Sequence, residues 1–495
     1  MIRRHQKQDY ETVSRSRKRR ASGSSAPEDH FEPTALFSEK PSVIHHEQSP
    51  ALLLSPVDAN TFLKPGHVFS FAALFVFTIV LYARPAEFYP SAITNSLALI
   101  IGIVTLACFI PTQISLEGKL TARPSEVNLV LLFMLSALLS IPLAIDPAIA
   151  WTEFSGTFVR GILIFIVIIN VVRTPRRLKA LLFLSVGTAI VLSAQAMNDY
   201  RLGLMTVEGY RAAGRGTGIF GNTNDMALHL VTMLPISVAF FFGSRNALKK
   251  IIHASCAALM IFGIVLSYSR GAFLGVLVVF VFFAVKIGRR SKFEIAALLV
   301  AAAAAMIVLA PTGYGDRLLS IFMPGLDPNG SADSRRGELF RSIYVALRHP
   351  LLGIGMGNYQ PNMSYKGLVT HNSYTQVASE MGMIALVLYT TFIVAPLRKL
   401  AVIARQTFIA REHSQFYYLA LGLQSSLLVF MISSFFLSVA YGWNVYYLVG
   451  YAVCFRRMYE SETGKSVVLE QRKRQRDRLT DENSIGESAH HPVIA

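Results

Sequence analysis

The sequence has few cysteines and little charge for its size. Cys108, Cys256 and Cys454 are the only cysteines among 495 residues, and each lies in an apolar run far from the others. This spacing excludes a disulfide framework and a cysteine zinc site, so we expect three small buried thiols. Charged residues make up 16% of the chain and hydrophobic residues 53%, with a mean hydropathy of +0.44. These values exclude an ordinary soluble protein and indicate an integral membrane protein.

Twelve apolar runs are long enough to cross a bilayer as helices. They lie near residues 67–83, 93–111, 127–145, 156–172, 178–197, 225–243, 249–268, 271–287, 293–310, 376–397, 416–438 and 440–457. The sequence therefore predicts an all-α, polytopic membrane protein with about 12 transmembrane helices.

The net charge of +17 is concentrated in the tails and in short connections between apolar runs. With the N-terminal tail inside the cell, every connection after an even-numbered span is rich in Lys and Arg, which is typical of cytoplasmic loops. The charge is therefore a topology signal rather than a sign of nucleic acid binding, and both termini should be cytoplasmic.

The chain divides into a membrane region and two polar tails. Residues 1–66 lack apolar periodicity and predict a disordered cytoplasmic tail, residues 67–457 a transmembrane domain, and residues 458–495 a disordered basic tail. Two long segments, about 198–224 and 311–375, fall on the outer side. Within the second, Arg336 to His349 has the apolar pattern of a short amphipathic helix, so this loop should be partly helical.

Lysine is nearly absent from the predicted outer face, where arginine recurs. Guanidinium groups hold phosphate or carboxylate through paired hydrogen bonds, so this face suggests an anionic ligand, although arginine beside lipid headgroups would look the same. Arg160, Arg215 and Arg270 adjoin or lie within apolar spans, where an unused charge is unfavourable. Arg270 lies in the short reversal from Ser267 to Phe273, which fixes it near the outer surface.

A second candidate is His371, in the segment Thr370 to Gly382 that leads into an apolar span. Ser373 followed by Gln376 has the pattern of a capping box, which predicts a helix start and places His371 just before it. A histidine there can meet a phosphate or accept a hydroxyl proton, or it can simply mark the membrane interface.

A third candidate is the segment from Arg215 to Met226, in which glycines and amides precede a span. Asn222, Asn224 and Asp225 can bind sugar hydroxyls or cap the helix.

Four segments resemble, in the expected order, motifs of the O-antigen ligase and polymerase superfamily of bacterial envelope proteins, over roughly residues 200–400. They are Arg215 through Ala227 ending in Asn-x-Asn-Asp, Ser269-Arg-Gly271, His349-Pro-Leu-Leu-Gly-Ile-Gly355, and His371-Asn372 followed by Gly382. Ala385 stands where the last motif often has Gly, Thr or Tyr.

The resemblance implies a GT-C-like enzyme in the bacterial inner membrane. Such an enzyme passes a glycan from a polyprenyl-diphosphate donor to an acceptor hydroxyl on a glycan, lipid or protein at the periplasmic face, without a metal or other cofactor. Carried over by motif, the catalytic residues are His371, Arg270 and Arg215. The expected substrate-binding residues are Arg160, Arg211, Asn222, Asn224 and Asn372. A His371 imidazole with an unshifted pKa would suit a general base near neutral pH.

Two other classes remain open. A transporter of a small anion or other solute fits the number of helices, but Asp225, Glu294 and Glu380 lie near helix ends rather than at mid-span, which disfavours ion coupling. A non-catalytic envelope assembly factor would not need the arginine and histidine motifs.

Overall fold

The computed structural model describes residues 66–205, 211–212, 220–287, 331–410 and 415–467, and all regular structure in these ranges is helical. The helices are α1 (Val68–Ala83), α2 (Pro85–Phe88), α3 (Ala92–Glu117), α4 (Ser125–Ser140), α5 (Pro147–Glu153), α6 (Val159–Val171), α7 (Pro175–Arg201), α8 (Thr223–Gly243), α9 (Ala247–Leu266), α10 (Arg270–Ile287), α11 (Ser331–Arg348), α12 (Tyr359–Asn362), α13 (Ser373–Gln406), α14 (Gln415–Ser433) and α15 (Trp443–Thr463).

The prediction of an all-α polytopic membrane protein is confirmed. In the described part of the chain, ten helical segments are long and apolar enough to cross a membrane. Helix α15 coincides with the last predicted span but carries Arg456 and Arg457 in its second half, and it continues to Thr463, beyond the predicted end at residue 457. The predicted span 293–310 lies outside the described residues, as do the two tails up to residue 65 and from residue 468.

Helices α8 and α14 form the centre of the bundle, where they pack on each other and on α9, α10 and α13. Small residues let these helices approach closely. A Cβ on Gly422 would lie 2.6 Å from the Cβ of Ala239, and one on Gly263 would lie 2.7 Å from Oγ of Ser193. Close packing through small residues holds helices together where lipid removes the hydrophobic driving force.

The fourth predicted span begins earlier than expected. Asp146 caps α5 by accepting hydrogen bonds from the backbone N–H groups of Ala148 and Ile149, and a π-helical turn over Phe154–Phe158 joins α5 to α6. The predicted start at residue 156 was therefore wrong, because the polar residues Thr152, Glu153 and Ser155 in α5 and this turn interrupt the apolar run without ending the helix.

Basic residues expected in cytoplasmic loops are partly buried in helices. Lys399 and Arg456 lie 2.8 Å and 3.2 Å from the two carboxylate oxygens of Glu126 in α4. Helix α13 therefore continues to Gln406 instead of ending near residue 397, because Lys399 is neutralised inside the bundle. This three-residue group is called the Glu126 cluster below.

The described part of the long outer loop is partly helical, as predicted. Helix α11 buries Glu338, Ser342 and Val345, and exposes an apolar stripe on its opposite side. The stripe consists of Phe340, Ile343, Tyr344 and Leu347. An exposed apolar stripe beside arginines is typical of a helix that lies at a membrane surface.

Candidate active site

A cavity of about 290 Å³ lies where α11 meets the turn before α10, the turn before α13 and the segment after α14. It is called the arginine cavity below. Four of the residues predicted for the site line it: Asn224, Arg270, His371 and Asn372. The structure therefore brings together three separate sequence segments that were singled out for chemistry.

Arg270 reaches the cavity from a tight reversal between α9 and α10. Ser267 closes the end of α9, with its hydroxyl donating to the carbonyl of Ile264 and accepting from the backbone N–H of Ser269. Tyr268 between them has a left-handed backbone, with φ of 51°. Because this turn is buried, the position of Arg270 at the start of α10 is fixed by the backbone.

His371 lies in a second strained turn, with φ of 50°. The hydroxyl of Thr370 lies 2.8 Å from that of Ser438, and the hydroxyl of Ser373 donates to the carbonyl of Leu437. The helix begins at Ser373 as predicted, but the capping box was wrong. Asn372 is the cap, accepting hydrogen bonds from the N–H groups of the two residues after Ser373, because Ser373 is engaged with the segment after α14.

The lining of the arginine cavity is positive. Arg270, Arg335 and Arg336 contribute three guanidinium groups, against one carboxylate from Asp333. Burial, with a smaller effect from Arg335, lowers the pKa of His371 to about 4. The imidazole is therefore neutral at physiological pH, and the expectation of an unshifted pKa was wrong because the sequence did not reveal its burial.

Arg211, a predicted substrate-binding residue, is buried against protein groups. Its guanidinium donates to the carbonyl of Ser267 and to the side-chain oxygen of Asn224, each at 2.9 Å. Arg211 thereby ties the reversal before α10 to the first turn of α8. Asn222 caps α8, so for this residue the structure shows the capping role, while Asn224 lines the cavity.

Two other predicted site residues are not placed at the cavity. Arg215 lies outside the described residues. Arg160 is exposed on α6 and does not line the arginine cavity. Because the helical segment begins at Pro147, Arg160 lies 13 residues from its start, well inside the segment.

The glycine-rich stretch after His349 has a structural role. The backbone N–H groups of Ile354 and Gly355 donate to the carbonyls of Ser379 and Glu380, which are freed by a kink of α13 at Gly382. The φ of Gly382 is 88°, and a Cβ there would lie 2.2 Å from the carbonyl oxygen of Leu351. These contacts join the glycine-rich stretch to the helix that follows the histidine motif.

Sequence reasoning missed the contribution of α11 to the site. Arg335 and Arg336 lie in the predicted outer loop, but nothing in their spacing showed that they line one cavity with Arg270. It also missed a free donor: Nδ2 of Asn372 is buried and has no hydrogen-bond partner among the described residues.

Taken together, these features define a multi-pass membrane protein with a cationic cavity built from helix ends and short turns. Residues 255–390 match the family model described as O-Antigen ligase. The match spans the Ser-Arg-Gly turn, the glycine-rich stretch and the histidine motif. The match supports the resemblance to the O-antigen ligase and polymerase superfamily, and with it a glycan-transferring, ligase-like activity. No curated protein matches the chain.

Proposed function

We propose that the protein transfers a saccharide from a polyprenyl-diphosphate carrier to an acceptor hydroxyl at the periplasmic face of the bacterial inner membrane. The observation that carries this proposal is the convergence of Arg270 and His371 with Arg335 and Arg336 on one cavity, inside the segment that matches the ligase family. A diphosphate is the part of such a donor that needs positive charge.

In the proposed reaction, the acceptor oxygen attacks the anomeric carbon of the donor sugar. A new glycosidic bond forms, the bond from that carbon to the diphosphate breaks, and the hydroxyl proton passes to a base. Arg270, with Arg215 from the same set of motifs, stabilises the charge that develops on the leaving diphosphate.

Of the roles considered for His371, the structure favours a contact to phosphate over that of a general base. A neutral imidazole with a pKa of about 4 is a weak proton acceptor, but its N–H can donate to a phosphate oxygen. Nδ2 of Asn372 offers another donor at the same wall of the cavity.

Connectivity supports an outer position for the site. Helix α9 runs from the connection that contains Arg245, Lys249 and Lys250 to the reversal before Arg270. If basic connections are cytoplasmic, the arginine cavity lies at the opposite end of α9, facing the periplasm.

The test is transfer by the purified full-length protein in detergent. The donor is the lipid-linked oligosaccharide pool extracted from the cells that make the protein, and the acceptor is the same oligosaccharide released from its lipid by mild acid. We expect wild type to consume donor and form a larger glycan, and Arg270→Ala to lose activity at least a hundredfold.

The control is Arg201→Ala, which removes an exposed arginine at the end of α7 whose guanidinium donates to the side chain of Asn198. It should retain wild-type activity. A folded Arg270→Ala protein with full activity would overturn the assignment. Solute movement by wild type in proteoliposomes without any transfer would instead favour the transporter.

A further inference from the structure

A second, larger cavity of about 640 Å³ adjoins the arginine cavity. Thr370 lines both cavities, and the neighbouring residues Asn224 and Asp225 line one each. The larger cavity lies between α1, α3, α5, the first turn of α8, α13 and the segment before α15. Of the residues singled out in the sequence as possible sugar ligands, Asp225 lines this cavity.

The chemistry of the larger cavity is opposite to that of the arginine cavity. Its charged lining comprises three carboxylates, Glu153, Asp225 and Glu380, and one guanidinium, Arg84, which lies 2.9 Å from Glu87. The excess of carboxylates over guanidinium groups disfavours binding of a diphosphate in the larger cavity. The remaining polar lining is largely amide and hydroxyl: Thr94, Asn95, Thr157, Gln360, Thr370, Gln376, Ser438, Tyr441 and Asn444.

Such a lining suits a neutral molecule with many hydroxyl groups. Amides and carboxylates supply both donors and acceptors, and the Trp443 ring offers an apolar surface. Oε1 of Gln376 is buried and has no partner within the described ranges, so an acceptor atom is available to a ligand hydroxyl. A saccharide has this combination of groups.

The three carboxylates are not equivalent. Glu380 accepts hydrogen bonds from the hydroxyl of Tyr441 at 2.8 Å and from the backbone N–H of Tyr359 at 3.3 Å, so it is held by the protein. Glu153 is exposed. Asp225 is partly buried, and no donor among the described residues lies within hydrogen-bonding distance of its carboxylate.

Asp225 also lies close to where the two cavities meet. It follows Asn224 in the first turn of α8, and Asn224 lines the arginine cavity together with Arg270. A saccharide in the larger cavity and a diphosphate in the arginine cavity would bring their reacting atoms together beside Thr370 and Asp225.

We infer that the larger cavity binds the acceptor saccharide and that Asp225 is the catalytic base. Its carboxylate takes the proton of the acceptor hydroxyl as that oxygen bonds to the anomeric carbon and the diphosphate departs with the electrons of the broken bond. The inference rests on the proposed transfer reaction. It places the negative charge of the leaving diphosphate in the arginine cavity and the proton released by the acceptor in the larger cavity.

The experiment compares Asp225→Asn with wild type in the transfer assay described above, together with direct binding of the lipid-linked donor pool. Asp225→Asn should lower kcat about a hundredfold or more while donor binding stays within twofold, because general base catalysis is lost and the arginine cavity is intact. Asp225→Glu should recover part of the rate, and the acid limb of the kcat profile against pH should disappear in Asp225→Asn.

A second variant tests the cavity independently of the base. Ala98 lines the larger cavity from α3, and Ala98→Phe adds a ring there without changing charge. We expect the KM for the released oligosaccharide to rise about tenfold, with donor binding unchanged. The matched control for Asp225→Asn is Asp199→Asn, which alters a carboxylate at the end of α7 outside both cavities and should keep wild-type activity.

The outcomes separate the two proposals. Absence of transfer by wild type contradicts the proposed function. Normal transfer by Asp225→Asn, or equal loss of donor binding and kcat in this variant, overturns the inference while the transfer reaction stands. An unchanged acceptor KM in Ala98→Phe overturns the assignment of the cavity.

Discussion

Two non-glycine residues with left-handed backbones lie in the turns that form the arginine cavity. They are Tyr268 and His371, adjacent in sequence to Ser269 and Asn372 respectively. A left-handed conformation is unfavourable for residues with a side chain, so the surrounding hydrogen bonds must maintain both turns. Strain of this kind is concentrated where proteins hold groups in position for function.

The strain at His371 allows its chemistry to be separated from its conformation. Asparagine tolerates the left-handed region better than alanine does. We expect His371→Asn to keep wild-type stability, and His371→Ala to lose about 1 kcal/mol. Both should lose transfer activity about a hundredfold, and thermal unfolding followed in detergent separates the two effects. Equal stability of both variants would show that the turn is unstrained.

The pKa of His371 predicts how stability changes with pH. Because the folded-state pKa of about 4 lies below the ordinary value near 6.5, the unfolded chain binds the proton more readily. Stability therefore falls as pH decreases from about 6.5 toward 4. Burial lowers the pKa of His67 to a similar value, so His371→Asn should flatten this pH dependence only in part. A slope identical to wild type would contradict the shift.

Arg270 should not be replaceable by lysine. An ammonium group keeps the charge but lacks the planar pair of donors that matches a phosphate. We expect Arg270→Lys to retain donor binding within about tenfold and to lose kcat about ten- to a hundredfold. Measuring the donor affinity and the turnover separately checks this, and a wild-type kcat would show that charge alone suffices.

At the scale of elements, the site depends on the kink of α13 at Gly382. The kink frees the carbonyls that receive the backbone of the glycine-rich stretch. Gly382→Ala would place a Cβ against the carbonyl of Leu351, so it should destabilise the protein by roughly 2 kcal/mol or more and reduce transfer.

The matched control for Gly382 is Gly187→Ala. Gly187 lies within α7 with an ordinary helical backbone, and nothing lies within 4 Å of the added Cβ. Its melting temperature should equal or exceed that of wild type. Equal melting temperatures for the two variants would show that α13 can straighten without loss.

Helices could be predicted from the sequence where an apolar run is uninterrupted, as in α8 and α10. The errors fall where tertiary contacts override local patterns. Ser373 has the pattern of a cap, but Leu437 and Val439 occupy its hydroxyl, and the cap shifts to Asn372. The start of α5 was missed because its polar residues interrupt the hydropathy signal although Asp146 caps a continuing helix.

At the scale of the whole molecule, basic residues predict the topology but not the contacts that they make. Lys399 was expected in a cytoplasmic loop and Arg456 at the end of the last span, beside the C-terminal tail, whereas the structure buries both on Glu126. Likewise, the motifs gave Arg270 and His371, but the larger cavity combines single residues from many helices. Apart from Asp225, which ends the Asn-x-Asn-Asp motif, most of these residues are ordinary in their own segments, so no local pattern marks the cavity.

The Glu126 cluster should be strongly stabilising only while it is complete. Glu126→Ala leaves two cations without their shared carboxylate, and breaking a buried ion pair costs about 3–5 kcal/mol. We expect a large drop in melting temperature with little direct effect on donor affinity in the folded fraction. Glu462→Ala, an exposed position on α15, is the control and should change stability by less than about 0.5 kcal/mol. A small effect of Glu126→Ala would contradict the role of the cluster.

The Glu126 cluster also has a consequence for the order in which helices pack during synthesis and membrane insertion. Glu126 precedes Lys399 by 273 residues and Arg456 by 330. During translation, Glu126 is therefore synthesised well before either of the basic residues that neutralise it. Sealing an uncompensated carboxylate inside the bundle is unfavourable. We therefore expect the part of the bundle around Glu126 to stay open until α13 brings Lys399, and to close fully only when α15 brings Arg456.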